Sequence, residues 1–419
     1  MITSKKMLVP LTAAALLLAT GCGSDKVMRA HKEQVEITLS WWGNDVRHEY
    51  TIKAIDEFQQ LHPDIKVNSS YSEWSGYEAR NRVRMISGSE SDVMQINVGW
   101  LTAYSPDGKG YYDIESLSEY VDLSSFAPEV LNYGRVNGIL NGIPIAMNAE
   151  TVYINKSVYE KYGLTVPQTW DDLNNAAKVM SPDGVYPLSG AEKSIWLYCI
   201  AYAEQVTGKS ILNDDGGLNF NADDLEVMLK FYTDLVEKKI IPQVEFYERL
   251  NINTGMYAGT IAWVSDANNY CGTAIKNGYE IVAAPYTAFS ADKSGEGWYA
   301  KPATLYAVSK NTEHPREAGM LLDFLLNSKE MALLQGVEKG IPLSETAKNT
   351  LDEAELLVGI QYDASVVMDE NNLIDKMDPI LEDTDIIDKF TEVSNLVLYG
   401  KADLDAAAQQ LYTDYKKMF

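Results

Sequence analysis

Aromatic side chains beside polar residues mark several predicted strand ends, and this combination suits the binding of a sugar. A sugar ring has an apolar face of C–H bonds and a girdle of hydroxyls, so its site needs aromatic platforms and a few placed polar groups in a cleft. Trp42 and Trp74 lie in such predicted loops, and Trp196 and Trp263 are further platform candidates. Core packing is the alternative for any single tryptophan, and Trp263 lies within an apolar strand pattern.

Four basic residues near these aromatics are candidates for holding a charged group: Arg47, His48, Arg80 and Lys301. The chain has 60 acidic and 35 basic residues, so basic side chains at a cleft favour an anionic ligand. Arginine can hold a carboxylate through two parallel N–H bonds. Two alternatives stay open, because arginine also hydrogen-bonds neutral hydroxyls and Arg80 can pair with acids on a solvated helix face.

Asparagine side chains both donate and accept hydrogen bonds, which suits pairs of sugar hydroxyls. Asn44, Asn97 and Asn148 are the candidates for this role, and Trp100, at the same predicted strand ends, completes the expected binding residues. A buried polar ligand group left unpaired costs about 1–3 kcal/mol, so such residues would sharpen selectivity.

Acidic residues are numerous enough that a glycosidase with two catalytic carboxylates has to be weighed. Asp45 and Glu73 lie near the expected cleft and are the candidate pair, although we favour a role in accepting hydrogen bonds from sugar hydroxyls or from the basic residues. The sequence contains no Gly-x-Ser-x-Gly, Walker loop or His-Glu-x-x-His motif. We therefore expect a binding protein without catalysis, cofactor or metal.

Strand and helix patterns alternate in the first part of the chain and would position these residues. Residues 35–39 alternate as a half-buried strand, a loop is predicted over 40–45, and helical spacing runs from Tyr50 to Leu61. Further strands are predicted at 65–67 and 93–97. This order predicts an α/β domain with a largely parallel sheet, in which ligands bind at the carboxyl ends of the strands.

A second domain and a return to the first are predicted from the later segments. Residues 141–156 contain the first crossing, Thr169 can cap a helix, and residues 259–264 form a buried strand pattern. Residues 298–308 read as an extended return, and His314-Pro315 begins another helix.

The amino-terminal residues carry the pattern of a bacterial secretory signal. Lys5 and Lys6 precede a short apolar run, and small residues lead to Cys22. This arrangement resembles a lipobox, in which the cysteine is acylated and becomes the new terminus. Ordinary cleavage beside a coincidental cysteine is the alternative. The apolar run is shorter than the roughly 20 residues of a spanning helix.

Length and charge exclude several classes of protein. Removing residues 1–21 leaves 419 − 21 = 398 residues, which predicts two domains. Removing Lys5 and Lys6 with the signal changes the net charge from −25 to −27. Such a surface disfavours nucleic acid and anionic lipid, so we expect a monomer that touches the membrane only through its anchor.

Two cysteines remain besides Cys22, and neither belongs to a metal motif. Cys199 and Cys271 could form a disulfide or remain as two buried thiols. The four histidines are widely scattered, which makes a structural zinc site unexpected.

The order of segments resembles the extracellular solute-binding proteins of carbohydrate ABC transporters, the group that includes maltose-binding protein. Within that group the chain is most similar to the oligogalacturonide-binding proteins. The matching stretches are Ser40-Trp41-Trp42-Gly43 with Arg47-His48, Trp74-x-Gly76 with Arg80, Asp92-Val93-Met94-Gln95 with Asn97 and Trp100, Lys301-Pro302-Ala303, residues 324–330, and Gly340-Ile341-Pro342-Leu343-Ser344. One departure is a first loop that lacks the subgroup's extra glycine beside Gly43.

The resemblance implies a two-lobed, periplasmic-binding-protein-like α/β fold (type II) with three hinge crossings, near 147–150, 300–303 and 327–330. We expect a signal peptide at 1–21, a tether at 22–33, one lobe from 34–147 and 303–327, and a second from 148–302 and 328–419. The implied ligand is an oligosaccharide, with an acidic, pectin-type sugar favoured over a neutral one. The implied partners are permease subunits at the outer face of the cell membrane. A lipid-anchored, carbohydrate-degrading enzyme is the alternative from another class.

Overall fold

The computed structural model describes residues 34–243, 252, 255–371 and 374–419. The predicted signal peptide and tether, including Cys22, lie outside these residues. Within the described ranges, no helix has both the length and the apolar character that a membrane span requires.

Strands and helices alternate along the chain, as the sequence predicts for its first part. The strands of the described ranges are β1 (Val35–Trp42), β2 (Ile65–Ser72), β3 (Val93–Ile96), β4 (Arg135–Val136), β5 (Ile139–Leu140), β6 (Ile143–Asn155), β7 (Gly259–Trp263), β8 (Ile281–Ala284), β9 (Tyr299–Val308) and β10 (Asp375–Lys376). The helices there are α1 (Asp45–Leu61), α2 (Trp74–Ser87), α3 (Gly99–Tyr104), α4 (Pro128–Asn132), α5 (Lys156–Lys161), α6 (Trp170–Met180), α7 (Glu192–Thr207), α8 (Ala222–Glu237), α9 (Ala267–Lys276), α10 (Pro315–Asn327), α11 (Lys329–Gln335), α12 (Glu345–Glu353), α13 (Ile360–Asp369), α14 (Thr384–Leu398) and α15 (Leu404–Met418).

The main sheet has the strand order β2-β1-β3-β9-β6-β7. Strands β2, β1 and β3 run parallel, whereas β9 is antiparallel to β3 and β6 is antiparallel to β9. The carboxyl ends of the three parallel strands therefore meet at one edge, where ligands bind in open α/β sheets.

Strands β6 and β9 connect two groups of strands. Residues 143–149 of β6 pair with β9, whereas residues 150–155 pair with β7 and β8. Likewise, β9 pairs with β10 at Tyr299 and Ala300 and with β3 from Leu305 to Val308. Each strand thus runs from one group into the other. The precise lobe boundaries stay a prediction.

Two large apolar cores lie at opposite ends of these shared strands. One contains Ile37, Phe58 and Phe324. The other contains Trp170, Trp196 and residues of α8 and α15. Helix α11 packs on the first core through Met331.

Local signals in the sequence fix several helix starts. Thr169 accepts a hydrogen bond from the Asp172 amide while the Asp172 carboxylate accepts from the Thr169 amide, a reciprocal cap at the start of α6. Ser328 caps α11 by accepting from the Met331 amide. The caps stabilise these starts because the first amides of a helix have no partner within it.

The first strand is longer than the sequence pattern predicts. Ser40, Trp41 and Trp42 continue β1 instead of forming a loop, because they pair in register with Ser70, Tyr71 and Ser72 of β2. The alternation of side chains along the strand then separates the two indoles. Trp41 is fully buried, whereas Trp42 is half-buried.

Cys199 and Cys271 are both buried free thiols, in different cores. The sequence left open a disulfide or two buried thiols, and the structure has the two buried thiols. Burial raises the pKa of Cys199 well above its ordinary value and that of Cys271 to about 12, so neither is a reactive thiolate at neutral pH.

Candidate functional site

Four aromatic rings form one cluster at the carboxyl ends of β1, β2 and β3. The ring centroid of Trp42 lies 4.9 Å from that of Trp74 and 6.4 Å from that of Trp100. Trp74 and Trp100 stack with centroids 5.8 Å apart, and Tyr77 stacks on Trp100 at 6.0 Å. Trp74 is 39% exposed, whereas Trp100 and Tyr77 are buried beneath it. Trp74 and Trp42 therefore present the accessible surface of this aromatic cluster.

Arg47 lies beside the aromatic cluster in the first turn of α1. A Cβ at position 43 would lie 2.6 Å from the Cβ of Arg47, so Gly43 permits the close approach of the helix start. Asn44 caps this helix by accepting from the Arg47 amide. The Arg47 guanidinium donates to the carbonyl of Glu338 at 3.1 Å, and its Nε lies 3.5 Å from the Glu338 carboxylate. Arg47 is thus already paired with an acid.

Three other candidates on this side have local partners. Trp41 Nε1 donates to His48 Nδ1 at 3.2 Å, which makes the imidazole an acceptor. Arg80 is exposed and donates to the Ser72 hydroxyl. Asn97 accepts from the Gly99 amide and helps to start α3. Of these three, Arg80 is the one whose side chain the structure leaves largely in solvent.

A second group of functional side chains surrounds Trp263 at the end of β7. Lys301 Nζ lies 4.6 Å from the Trp263 ring centroid, and Lys193 Nζ lies 5.5 Å from it. Both ammonium groups bind Glu382, which Lys193 contacts at 2.7 Å. Burial disfavours the charge of Glu382, but Lys301 and Lys193 outweigh burial and hold the pKa of this carboxyl below its usual value.

Asn148 and Asp266 connect the second group to the first. Asn148 on β6 donates to the Ser265 hydroxyl at 3.0 Å and accepts from the Ser265 amide at 3.1 Å, which fixes the turn after Trp263. Burial raises the pKa of the adjacent Asp266, and the positive charges of Arg47 and Lys193 oppose that rise. Arg47 of the first group and Lys193 of the second are thus both close enough to Asp266 for their charges to act on its carboxyl.

Glu150 is a fully buried acid opposite Trp263 in the β6–β7 register. Its Oε1 accepts from the Ser194 hydroxyl at 2.9 Å, and its Oε2 has no hydrogen-bond partner among the described residues. Burial raises the pKa of Glu150 to about 8, against the hydrogen bond from Ser194 and the charge of Lys193. Glu150 is therefore mainly protonated at neutral pH.

Glu150→Gln is expected to stabilise the protein more at pH 8.5 than at pH 5, by on the order of a few kcal/mol. The folded-state pKa of this acid is raised from 4.5 to about 8, so the folded protein retains a proton that the unfolded chain releases. Wild-type stability thus falls as the pH rises through that window, whereas glutamine keeps the acceptor for Ser194 and does not titrate. Urea unfolding of both proteins from pH 4.5 to 9 measures the difference. A difference that is constant over this range would contradict the assignment.

Lys339 is a fully buried amine whose pKa responds to Arg47. Its Nζ donates to Gln95 Oε1 at 3.1 Å and to the Tyr306 hydroxyl at 3.0 Å. Burial, followed by the charge of Arg47, lowers the pKa of Lys339 to about 7. Its neighbour Glu338 holds Arg47, so Lys339 anchors the segment that orients this arginine.

Trp196 does not belong to the site, and this prediction is wrong. Its side chain is 0% exposed, its ring packs against Phe390 and Tyr415, and its Nε1 donates to the carbonyl of Leu381 at 3.1 Å. The helical residue that reaches the site is Lys193, one turn earlier on α7. The other expected residues fall into the two groups described above. The first group contains Trp42, Trp74, Trp100, Asn44 and Arg47, and the second contains Asn148, Trp263 and Lys301.

Lys193, Glu382, Glu150 and Asp266 are site residues that the sequence interpretation missed. Lys193 and Glu382 are separated by 189 positions, and no spacing rule connects them. A weak signal exists for Glu150 and Asp266, because each lies within three residues of a candidate, Asn148 and Trp263 respectively.

Comparison with known proteins identifies the family and the fold. The family profile of the bacterial extracellular solute-binding proteins matches residues 44–332, well over half of the chain. A putative binding protein of Brucella abortus (strain 2308) is 25% identical over 300 residues, covering 69% of this chain and 71% of the relative.

Two solved structures resemble the chain over nearly its whole described length. A periplasmic oligogalacturonide binding protein from Yersinia enterocolitica, in complex with saturated digalacturonic acid, is 30% identical with a TM-score of 0.80, and the match covers 92% of this chain and 98% of that one. A de novo designed cysteine esterase is 29% identical with a TM-score of 0.83 and the same coverage. The likeness confirms the predicted two-lobed, type II α/β fold. The chain belongs to the family of bacterial extracellular solute-binding proteins.

Proposed function

We propose that this protein binds an oligosaccharide between its two lobes and delivers it to the permease of an ABC transporter. The observation that carries the proposal is a pair of groups with side chains suited to a sugar, the aromatic cluster around Trp74 and Trp263 with its lysines, together with Asp266, on which Arg47 and Lys193 both act. Aromatic faces can stack on the C–H faces of sugars, while Asn44 and the cations can bind hydroxyls. Each lobe supplies half of these contacts, so a ligand would favour the closed form through differential contacts.

Acidic, pectin-type oligosaccharides are the favoured ligands. The Yersinia enterocolitica relative is described with digalacturonic acid bound. In the second group two lysines contact one glutamate, so the cations outnumber their direct ion-pair partner in a strongly acidic protein. A neutral oligosaccharide is the competing ligand, and the multiple sugar-binding protein of Streptococcus mutans is a more distant sugar-binding relative.

The proposal includes capture outside the cell by a lipid-anchored monomer. The lipobox-like sequence that ends at Cys22 supports acylation. A tether over residues 22–33 would let the folded part reach the permease. An affinity near micromolar, about −8 kcal/mol, suits capture followed by release.

Catalysis has little support in the site. The designed relative is a cysteine esterase, but both described cysteines of this chain are buried thiols with raised pKa values. Asp45 and Glu73 both act on His48, which fits the role of partners for the basic residues that the sequence favours for them.

A thermal-shift screen followed by calorimetry tests the proposal. Galacturonide, neutral pectic, xylan-derived and sialylated oligosaccharides are each added to the mature chain, and a shift of several degrees identifies ligands for titration. We expect digalacturonate or a longer galacturonide to give the largest shift, because binding to the folded state alone raises its stability. Sustained release of shorter products from any of these sugars would instead establish an enzyme.

A further inference from the structure

We infer that Lys193, Lys301 and Glu382, together with the Trp263 ring, form a subsite for one ligand carboxylate, and that Lys193 determines the preference for acidic over neutral sugars. This inference rests on the proposed function and names the residues that carry its specificity.

The geometry of the group defines how a carboxylate would be bound. Glu382 accepts from both lysines, so their ammonium groups are held side by side over Trp263. Lys301 and Glu382 are largely buried, whereas the Lys193 side chain is 39% exposed. Lys193 is consequently the member of the group that a ligand can reach. A sugar bound beside this group would place a ring carboxylate within reach of Lys193.

The balance of charge separates this group from the other cations of the site. Arg47 is paired one-to-one with Glu338, so that pair adds no net charge. In the Lys193 group two ammonium groups contact a single carboxylate, that of Glu382, and the more distant Asp266 is shared between Lys193 and Arg47, so an anionic ligand group would add a second direct partner for Lys193. A ligand carboxylate would therefore bind Lys193 in addition to Glu382 and need not replace it.

Glu150, on the strand next to Trp263, supports the preference for an acidic ligand. It lies opposite Trp263 in the strand register, and its Oε2 is buried without a hydrogen-bond partner among the described residues. The charges of both Lys193 and Lys301 act on Glu150, which places it within the same group. Since Glu150 keeps its proton at neutral pH, it does not cancel the remaining positive charge.

Titration calorimetry with two matched sugars tests the inference. Digalacturonate and the neutral digalactoside of the same linkage are titrated into the mature chain and into Lys193→Met. We expect the substitution to weaken digalacturonate binding by at least about tenfold and neutral binding by a clearly smaller factor, because the carboxylate loses an ion pair of roughly 1.5–3 kcal/mol whereas a hydroxyl loses only a hydrogen bond. Lys193→Arg, which keeps the charge, is expected to retain most of the affinity for digalacturonate.

Lys209→Met is the matched control. Lys209 has 44% side-chain exposure and is paired at 2.8 Å with the buried acid Asp224, away from Trp263, so its loss should leave both affinities unchanged. Equal weakening of both sugars by Lys193→Met, or no weakening of digalacturonate, would overturn the inference while the receptor function stands. Wild-type protein that binds neutral sugars alone would also overturn the inference. Wild-type protein that binds no saccharide would refute the proposed function and the subsite with it.

Discussion

Replacing Trp74 with alanine is expected to weaken oligosaccharide binding by at least about thirtyfold, which corresponds to about 2 kcal/mol, while lowering the melting temperature by only a few degrees. Trp74 begins α2 and leaves 39% of its surface exposed above the buried Trp100. Aromatic residues in such positions contribute a large share of binding energy because one rigid face buries much area against a ligand. Calorimetry and thermal unfolding on the same samples measure the two effects.

The small structural cost follows from the contacts of Trp74. Its neighbours Trp42 and Trp100 also contact each other, and Tyr77 supports Trp100 from below. The base of the aromatic cluster therefore persists without Trp74. Alanine is also well tolerated in a helix, so α2 can begin at the same residue.

Phe289→Ala is the control for Trp74→Ala. Phe289 is 49% exposed and packs beside Trp170 and Tyr202 on the other core, away from the aromatic cluster. Its removal deletes a comparable exposed ring and should leave binding unchanged. An affinity of Trp74→Ala that equals that of wild type would exclude this indole from the site, and the proposed stacking would fall with it.

Much of the first half of the site could be predicted from the sequence, because it depends on local order along the chain. Strand ends and helix starts follow one another within few residues, so the positions of Trp42, Asn44 and Arg47 relative to the sheet edge are fixed by the pattern itself. The prediction erred in detail where pairing with β2 extends β1 through Trp42. Cross-strand pairing is a tertiary interaction, so it cannot be predicted from the periodicity of one segment alone.

The second half of the site depends on contacts between distant segments. Glu382 reaches Lys301 and Lys193 from a stretch near the carboxyl terminus, and Glu338 reaches Arg47 from a position 291 residues away. A sequence identifies such ionisable residues without showing which of them meet. The balance of charge at each cation, and hence the choice between an acidic and a neutral ligand, becomes visible only in the folded chain.

Trp196 shows the opposite case, in which residue type was a misleading guide. A tryptophan is large enough to serve as a platform or as a core residue, and helical periodicity alone does not decide between these roles. The folded chain decides it, because α14 and α15 pack over α7 at this position through Phe390 and Tyr415. Trp196 is covered by the carboxyl-terminal part of the chain. The residue pattern of α7 alone cannot predict where that part packs.

Trp196→Ala is accordingly expected to act on stability, with a loss of about 3–5 kcal/mol in the free energy of unfolding. The substitution removes a fully buried indole and leaves a cavity between α7, α14 and α15. It also removes the donor to the Leu381 carbonyl, beside Glu382. At about 1.2 °C for each kcal/mol in a chain of this length, the melting temperature should fall by roughly 4–6 °C. Differential scanning calorimetry measures this shift.

Trp196→Phe separates the packing from a role in binding. Phenylalanine fills most of the cavity and should recover at least about half of the lost stability, because the cost of a truncated core residue grows with the volume left empty. If Trp196→Ala instead melted like the wild type and lost its affinity for the sugar, the indole would have to reach the ligand. The sugar-bound protein would then have to differ from this structure around α7, because an indole packed against Phe390 and Tyr415 offers no face to a sugar.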